Sequence, residues 1–211
     1  MSNISRRDFL KTAGVMTLAV AAAGVLAGCE GNKPTEETPV VTKNSVTVGD
    51  YTFTIKDSKV LSYKTWKGDN TSETNKLDNE DRYVVVLAYL KNNKNSTKAP
   101  NFGMTVKHDN VDTINKWVYA AGVKKLFNLP VMPSEFTEAN GLGGKAVQNA
   151  TAEGTPYFFA CKIDTYTDKT FKTPSISFVA NDANEQVYTK LDVVIPATVE
   201  NVTAKQLQGK E

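Results

Sequence analysis

Apolar and polar residues alternate along much of the chain with the two-residue period of half-buried strands. Tyr51, Phe53 and Ile55 alternate with polar neighbours, and residues 60–66 either continue this strand or pair with it. The same pattern predicts later strands over residues 101–107, 157–164, 174–180 and 187–195. Their predicted inward positions are Tyr157, Phe159, Cys161 and Ile163, then Ile176, Phe178 and Ala180, then Val187, Thr189, Leu191, Val193 and Ile195.

Residues 82–90 are apolar on both faces, which predicts a central strand that is covered on both sides. Turn-forming Asn and Asp residues follow it at 92–96 and recur at 181–185. Roughly seven strands separated by such turns are typical of an all-β, antiparallel β-sandwich.

The stretch from 112 to 152 interrupts this pattern. Ile114, Trp117, Val118, Ala121 and Lys125 recur at helical spacing, which predicts a short helix within residues 112–129. Two prolines and a glycine-rich loop follow. Because long insertions between strands often carry function, we expect the purpose of the domain to lie here.

The start of the chain has the layout of an export signal. Basic residues precede an apolar run from Ala13 to Ala27, whose length is below the ~18–20 residues that a membrane-spanning helix needs. The preceding sequence SRRDFLK, with Arg6 and Arg7, closely resembles the twin-arginine export consensus. We therefore expect a signal helix over residues 1–28.

The apolar run ends in a sequence that resembles a lipobox: Leu26, Ala27, Gly28 and Cys29. In that motif the cysteine thiol receives a diacylglycerol group, and two acyl chains hold a protein stably on a bilayer. The expected partner of Cys29 is therefore the membrane, and the expected location is the extracytoplasmic face of the cell membrane.

Charge limits the other partners. Residues 1–28 contain three of the 25 basic residues and one of the 23 acidic residues, so the remaining chain has a formal net charge of zero. A neutral domain gives no electrostatic reason to expect nucleic-acid binding. The predicted organisation is a signal peptide (1–28), a lipidated cysteine with a flexible tether (29–45), a β-sandwich (46–196) and a polar C-terminal tail (197–211). The tail is expected to be either a short helix or disordered.

The body resembles the uncharacterised immunoglobulin-like domains of bacterial cell-surface lipoproteins. The residues that carry the resemblance are 48–53 (VGDYTF), 81–86 (DRYVVV), the turn NNKNS at 92–96, and Asn101-Phe102. The resemblance covers about residues 47–196 and implies a fold and a surface location without implying a reaction. The longer 112–152 region departs from the family.

Composition argues against the common chemistries. A blue-copper site needs two histidines and a cysteine, and a structural zinc site needs four nitrogen or sulfur ligands. The chain has one histidine, His108, and its cysteines are Cys29 and Cys161. We expect His108 to be a surface residue at a strand end and Cys161 to be a buried thiol. We therefore expect no metal, no cofactor and no enzymatic activity.

Binding is the remaining hypothesis. Sandwich domains bind glycans by stacking aromatic rings, and Tyr63, Trp66, Trp117, Tyr119 and Phe136 are the candidates, although core packing is the simpler role for them. The main hypothesis is a membrane-anchored lipoprotein with an immunoglobulin-like interaction or ligand-binding domain that takes a protein or glycan. The alternative is a solute- or glycan-binding accessory of an envelope transporter or enzyme.

Overall fold

The computed structural model describes residues 39–67, 77–108, 118–137, 142, 144–165, 174–182 and 186–210. These residues form two β-sheets and two short α-helices. The strands are β1 (Val40–Val41), β2 (Ser45–Val48), β3 (Tyr51–Lys67), β4 (Leu77–Asn92), β5 (Gly103–His108), β6 (Ser134–Glu135), β7 (Thr155–Thr165), β8 (Ile176–Asn181), β9 (Val187–Asp192) and β10 (Val199–Val202). The helices are α1 (Ala120–Leu126) and α2 (Ala204–Gln208).

The larger sheet has the strand order β1-β2-β3-β4-β7-β6, and β10 also pairs with β3. Because β4 occupies one edge of β3 along its whole length, β2 and β10 share the other edge, at residues 51–54 and 60–63. The β3–β10 and β6–β7 pairs are parallel, and the other pairs in the sheet are antiparallel. The smaller sheet is antiparallel, with the order β5-β8-β9. The predicted mostly β, two-sheet architecture is confirmed.

Strand β4 is buried on both faces, as predicted. Val84 and Val86 join the core between the two sheets, while Tyr83 and Val85 join a second core on the outer face of the larger sheet. β7 divides in the same way: Phe159 and Cys161 lie in the first core, and its alternate residues lie in the second. Each fully buried aliphatic or Phe side chain contributes about 1.5–3 kcal/mol, so both cores stabilise the domain.

The second core exists because the two helices cover it. Val123 of α1 and Leu207 of α2 are buried there. The helices pack backbone to backbone: a Cβ built on Gly122 would lie 2.1 Å from the carbonyl oxygen of Leu207. The predicted helix is therefore present in its later part, at Ala120–Leu126, while residues 109–117 lie outside the described residues.

The last predicted strand is shorter than expected. It ends at Asp192, so Val193 and Ile195 pack against the core from the segment that follows it. Val187 is 64% exposed, and its predicted inward position is wrong. Leu191 is the inward anchor of β9. The predicted inward faces of β7 and β8 are confirmed.

Both predicted borders of the sandwich need correction. The tether was expected to reach residue 45, but Val40 and Val41 already pair with β2. The polar tail was expected to start at residue 197, but β10 pairs with β3 and Leu207 is buried. Local signals fix this end of the chain, because Thr203 and Gln206 form a capping box at the start of α2 and Gly209 ends it. The predicted signal peptide and residues 29–38 lie outside the described residues.

Candidate functional site

A β-bulge in β3 organises the candidate site. Phe53 and Val60 both lie in the core between the sheets, although in a regular strand residues seven apart lie on opposite faces. The register with β4 passes from Ile55 directly to Asp57 and leaves Lys56 as the extra residue. Lys56 and Asp57 are both exposed. The bulge thus presents two neighbouring charged side chains, and each of them lines two clefts.

The first of these, the outer cleft, has a volume of about 430 Å³ and lies on the helical side of the larger sheet. Its apolar lining comes from β4, from the end of α1 and from the segment after it: Leu87, Tyr89, Phe127, Leu129 and Pro130. Its polar lining comes from the bulge, the helix end and the turn before β7: Lys56, Asp57, Asn128, Thr151 and Glu153. An apolar cleft with a few polar groups is the usual form of a ligand site.

Tyr89 contributes a largely buried side chain to this cleft. Its side chain is 7% exposed, and no described residue forms a hydrogen bond with its hydroxyl. Burial raises the pKa of Tyr89, and the nearby negative charge of Glu153 raises it further. The hydroxyl therefore stays protonated at neutral pH and remains available as a donor. Because the Tyr89 hydroxyl is not enclosed in the core, it can donate to a ligand in the cleft without breaking a hydrogen bond within the described part of the protein.

The turn at the C-terminal end of α1 positions Phe127 at the cleft. The helix ends at Leu126, and Asn128 adopts a left-handed backbone with φ of 50°, a conformation that Asn tolerates better than most residues. The backbone N–H of Leu129 then donates to the carbonyl of Lys124 at 2.8 Å. This closed turn fixes both Phe127 and Leu129 as walls of the cleft.

The C-terminal strand also supports this wall. Lys59 of β3 places its Nζ 5.6 Å from the centre of the Phe127 ring and 2.6 Å from a carboxylate oxygen of Glu200 on β10. The ammonium group thus has a cation–π contact and an ion pair. Because Glu200 neutralises it, Lys59 adds little net positive charge to the surroundings of the outer cleft.

The second space, the edge cleft, has a volume of about 730 Å³ and lies where the partner of β3 changes from β2 to β10. The segment between β9 and β10 crosses this gap, and the Ser58 hydroxyl donates to the Val194 carbonyl at 2.5 Å. The cleft is lined mainly by polar and charged residues, together with Ile55, Val194 and Pro196: Lys43, Asn44, Lys56, Asp57, Ser58, Lys190 and Asp192.

Ion pairs border both clefts. The Nζ atom of Lys56 lies 3.3 Å from a carboxylate oxygen of Glu153, and the Nζ atom of Lys190 lies 3.2 Å from a carboxylate oxygen of Asp192. All four side chains are more than half exposed, so these pairs contribute little to stability. Their charged groups can exchange partners with a ligand at low cost.

A third space of about 350 Å³ lies at the end of β4 and is lined by amide and hydroxyl side chains. Its base is Asn92, which is 2% exposed. The Asn92 amide donates to the carbonyls of Ser96 and Val147, and its side-chain oxygen accepts from the Ser96 N–H. Asn149 pairs with the backbone N–H and C=O of Asn92 at 2.8 and 2.7 Å. These bonds give Asn92 a structural role, since it joins two loops.

The predicted aromatic ligand residues do not come together. Phe136 is 2% exposed and packs against Phe53 and Phe178, so its predicted role at a binding surface is wrong. Tyr119 is 50% exposed at the start of α1 and lines none of the three spaces described above. Trp117 lies outside the described residues, as do the side chains of Tyr63 and Trp66, whose backbones belong to β3.

The leader motif also lies outside the described residues, including Arg6, Arg7, Leu26, Ala27, Gly28 and Cys29. Within the described part of the chain, no helix is long and apolar enough to cross a membrane.

Cys161 and His108 have structural surroundings. Cys161 is fully buried, and burial raises the pKa of its thiol to about 12, so the thiol stays protonated and unreactive at neutral pH. His108 ends β5, as expected, but it is partly buried. Its ring stacks on that of Phe159, with 6.3 Å between the ring centroids. Among the described residues, no three His, Cys, Asp or Glu side chains are grouped as metal ligands would be.

The sequence pattern does not single out Tyr89 or Phe127 as binding residues. It places Tyr89 in the predicted central strand and Phe127 in the predicted helical insertion. One signal for the site was present: the inward residues are odd-numbered up to Ile55 and even-numbered from Val60 onward, which indicates an extra residue between them.

Comparison with protein-family models, with curated proteins and with solved structures found no match to this chain.

Proposed function

We propose that this chain is a lipid-anchored, non-catalytic binding protein on the extracytoplasmic face of a bacterial cell membrane. Its immunoglobulin-like domain binds a ligand in the outer cleft. The observation that carries this proposal is Tyr89, a largely buried side chain that lines the cleft beside an apolar wall and whose hydroxyl has no hydrogen-bond partner among the described residues. A few polar groups on an otherwise apolar wall are typical of ligand sites, where they orient the ligand.

The surroundings of Tyr89 fit binding better than catalysis. Asp57 and Glu153 both line the outer cleft, but they are exposed, and Glu153 is paired with Lys56. Both carboxyls lie in contact with solvent, unlike the buried carboxyl of a general acid. The cleft thus offers hydrogen-bond acceptors and an apolar wall, which are the features of a recognition site.

Tyr89→Phe tests the proposed role of the hydroxyl. Since the hydroxyl has no described partner to lose, we expect the variant to keep or raise the urea midpoint of unfolding. Ligand binding should weaken by about fivefold, the value of one hydrogen bond. Ligand-observed NMR with libraries of neutral sugars and short peptides measures the binding.

Tyr119→Phe is the matched control, because Tyr119 is an exposed tyrosine that does not line the cleft. It should change neither stability nor binding. If Tyr89→Phe lowers stability by more than about 1 kcal/mol, its hydroxyl has a structural partner and the proposal loses its main support.

The anchor is tested in cells. Cys29→Ala should release the protein from membranes or leave the precursor unprocessed. Changing both Arg6 and Arg7 to Lys should abolish export by the twin-arginine route. A Cys29→Ala protein that is processed to normal size and stays on the membrane would refute the lipid anchor, and normal export of the double Lys variant would assign the protein to the general secretory route.

A further inference from the structure

We propose that the ligand is a neutral glycan chain, with one sugar in the outer cleft and the following units crossing the β3 bulge into the edge cleft. This inference rests on the proposed binding function and names its ligand class. Three features support it: the lining of the outer cleft, the bulge residues that line both clefts and the obstruction of the strand edge.

The lining of the outer cleft matches a pyranose ring. Such a ring has an apolar face of C–H groups and a rim of hydroxyls. Phe127 and its apolar neighbours offer a surface for that face, and Asp57 and Glu153 offer carboxylate oxygens that accept from hydroxyls. Tyr89 adds a hydroxyl donor.

Charge favours a neutral ligand over an anionic one. The charged residues of the outer cleft are Lys56, Asp57 and Glu153, with a net charge of −1. The edge cleft adds Lys43, Lys190 and Asp192, so the two clefts together have a net charge of zero. The next ammonium group, on Lys59, is already paired with Glu200. A phosphate or carboxylate ligand would meet a surplus of negative charge in the outer cleft, whereas sugar hydroxyls can use both signs as hydrogen-bond partners.

The two clefts adjoin the bulge from different sides, since Lys56 and Asp57 line both of them. Beyond the bulge, the edge cleft offers further groups that bind hydroxyls, among them Ser58, Lys190 and Asp192. A chain of linked sugars can therefore leave the outer cleft and keep polar contacts along the edge of β3. Occupying both clefts with one chain makes the second contact intramolecular and raises affinity.

The edge of β3 is poorly suited to an extended peptide. Peptides that add to a sheet need a run of unpaired backbone groups. Between the segments that pair with β2 and β10, only residues 55–59 remain, and the N–H of Ile55 already donates to the Asn44 carbonyl. The Ser58–Val194 hydrogen bond brings another segment across the gap. The structure thus favours a glycan over an extended peptide, and peptide binding is the competing outcome of the test.

The test is titration calorimetry on the purified full chain with β-1,4-linked glucose, β-1,4-linked N-acetylglucosamine and α-1,4-linked glucose. Each series contains a single sugar and chains of two, four and six units, and a random hexapeptide mixture serves as the comparison. We expect affinity to rise about tenfold or more from one to four units in at least one series. Tyr89→Phe should weaken binding at every length.

Lys190→Ala should weaken only the longer chains, because Lys190 lines the edge cleft alone and is 55% exposed, so its loss leaves the fold intact. Lys91→Ala, an exposed lysine of β4 outside both clefts, is the matched control and should change nothing.

Each contrary result is informative. Sugar binding that depends on neither chain length nor Lys190 overturns the extended chain. Tyr89-dependent binding of peptides without sugars overturns the glycan and leaves the proposed binding function standing. No Tyr89-dependent binding of either class overturns both.

Discussion

The packing of α1 on α2 gives the sharpest prediction about stability. A Cβ at Gly122 would lie 2.1 Å from the Leu207 oxygen, 2.6 Å from its carbonyl carbon and 2.7 Å from the Gln206 oxygen. These are backbone atoms, so no side-chain rotation can relieve the clash. Gly122→Ala must therefore separate the two helices.

The cost follows from what the separation exposes. Leu207 is 1% exposed, and losing a buried Leu side chain costs about 2–5 kcal/mol. The N–H of Tyr119, which donates to Leu207 at 3.1 Å, also loses its acceptor, at about 1 kcal/mol. Alanine gains about 1 kcal/mol over glycine in helix propensity. We expect Gly122→Ala to lower the free energy of unfolding by about 2–4 kcal/mol.

Urea unfolding followed by circular dichroism measures this change. Gly144→Ala is the matched control, because nothing lies within 4 Å of a Cβ built there. Leu207→Ala should cost a similar amount by removing the same contact. A Gly122→Ala protein that unfolds within about 0.5 kcal/mol of Gly144→Ala would mean that the helices do not pack as closely as described.

Other predictions concern buried polar groups. In a Cys29→Ser chain, Cys161 should resist iodoacetamide at pH 8 until urea unfolds the protein, because its raised pKa and full burial keep it protonated and inaccessible; rapid labelling of the native chain, read by mass spectrometry, would contradict this. Asn92→Ala should destabilise the fold by about 2–4 kcal/mol in urea unfolding, because it removes the hydrogen bonds that join two loops and leaves buried carbonyls unpaired. The control is Asn93→Ala, at an exposed position with one side-chain bond to Thr52, which should cost under about 1 kcal/mol. Equal losses for the two variants would mean that Asn92 is not the joining residue.

Much of the sheet structure could be predicted from the sequence. Alternation in β7 and β8 assigned their faces, because each inward residue must reach the core and the strand period is two. The run at 82–90 indicated a doubly covered strand for the same reason. Residues 203–209 contain a capping box and a terminal glycine, and these local signals decide between the two alternatives for the tail in favour of a short helix.

The candidate site depended on tertiary structure. Tyr89 reads as one more core residue of β4, and only the position of the α1 end and of the 151–154 turn leaves its hydroxyl facing a cleft. Phe136 reads as a candidate binding residue, yet the packing of two sheets buries it. Sequence pattern reports which face of a strand is apolar, but it does not report what covers that face.

The chain's own sequence therefore determines the two-residue period of its strands and the two apolar faces of β4. By resemblance, it also predicts a lipid anchor at Cys29. Tertiary structure alone decided that a single bulge at Lys56 would lie beside both a helix end and an open sheet edge. The reason is physical: strand faces follow from local backbone geometry, whereas clefts form between segments that are distant in the chain and meet only when the cores pack.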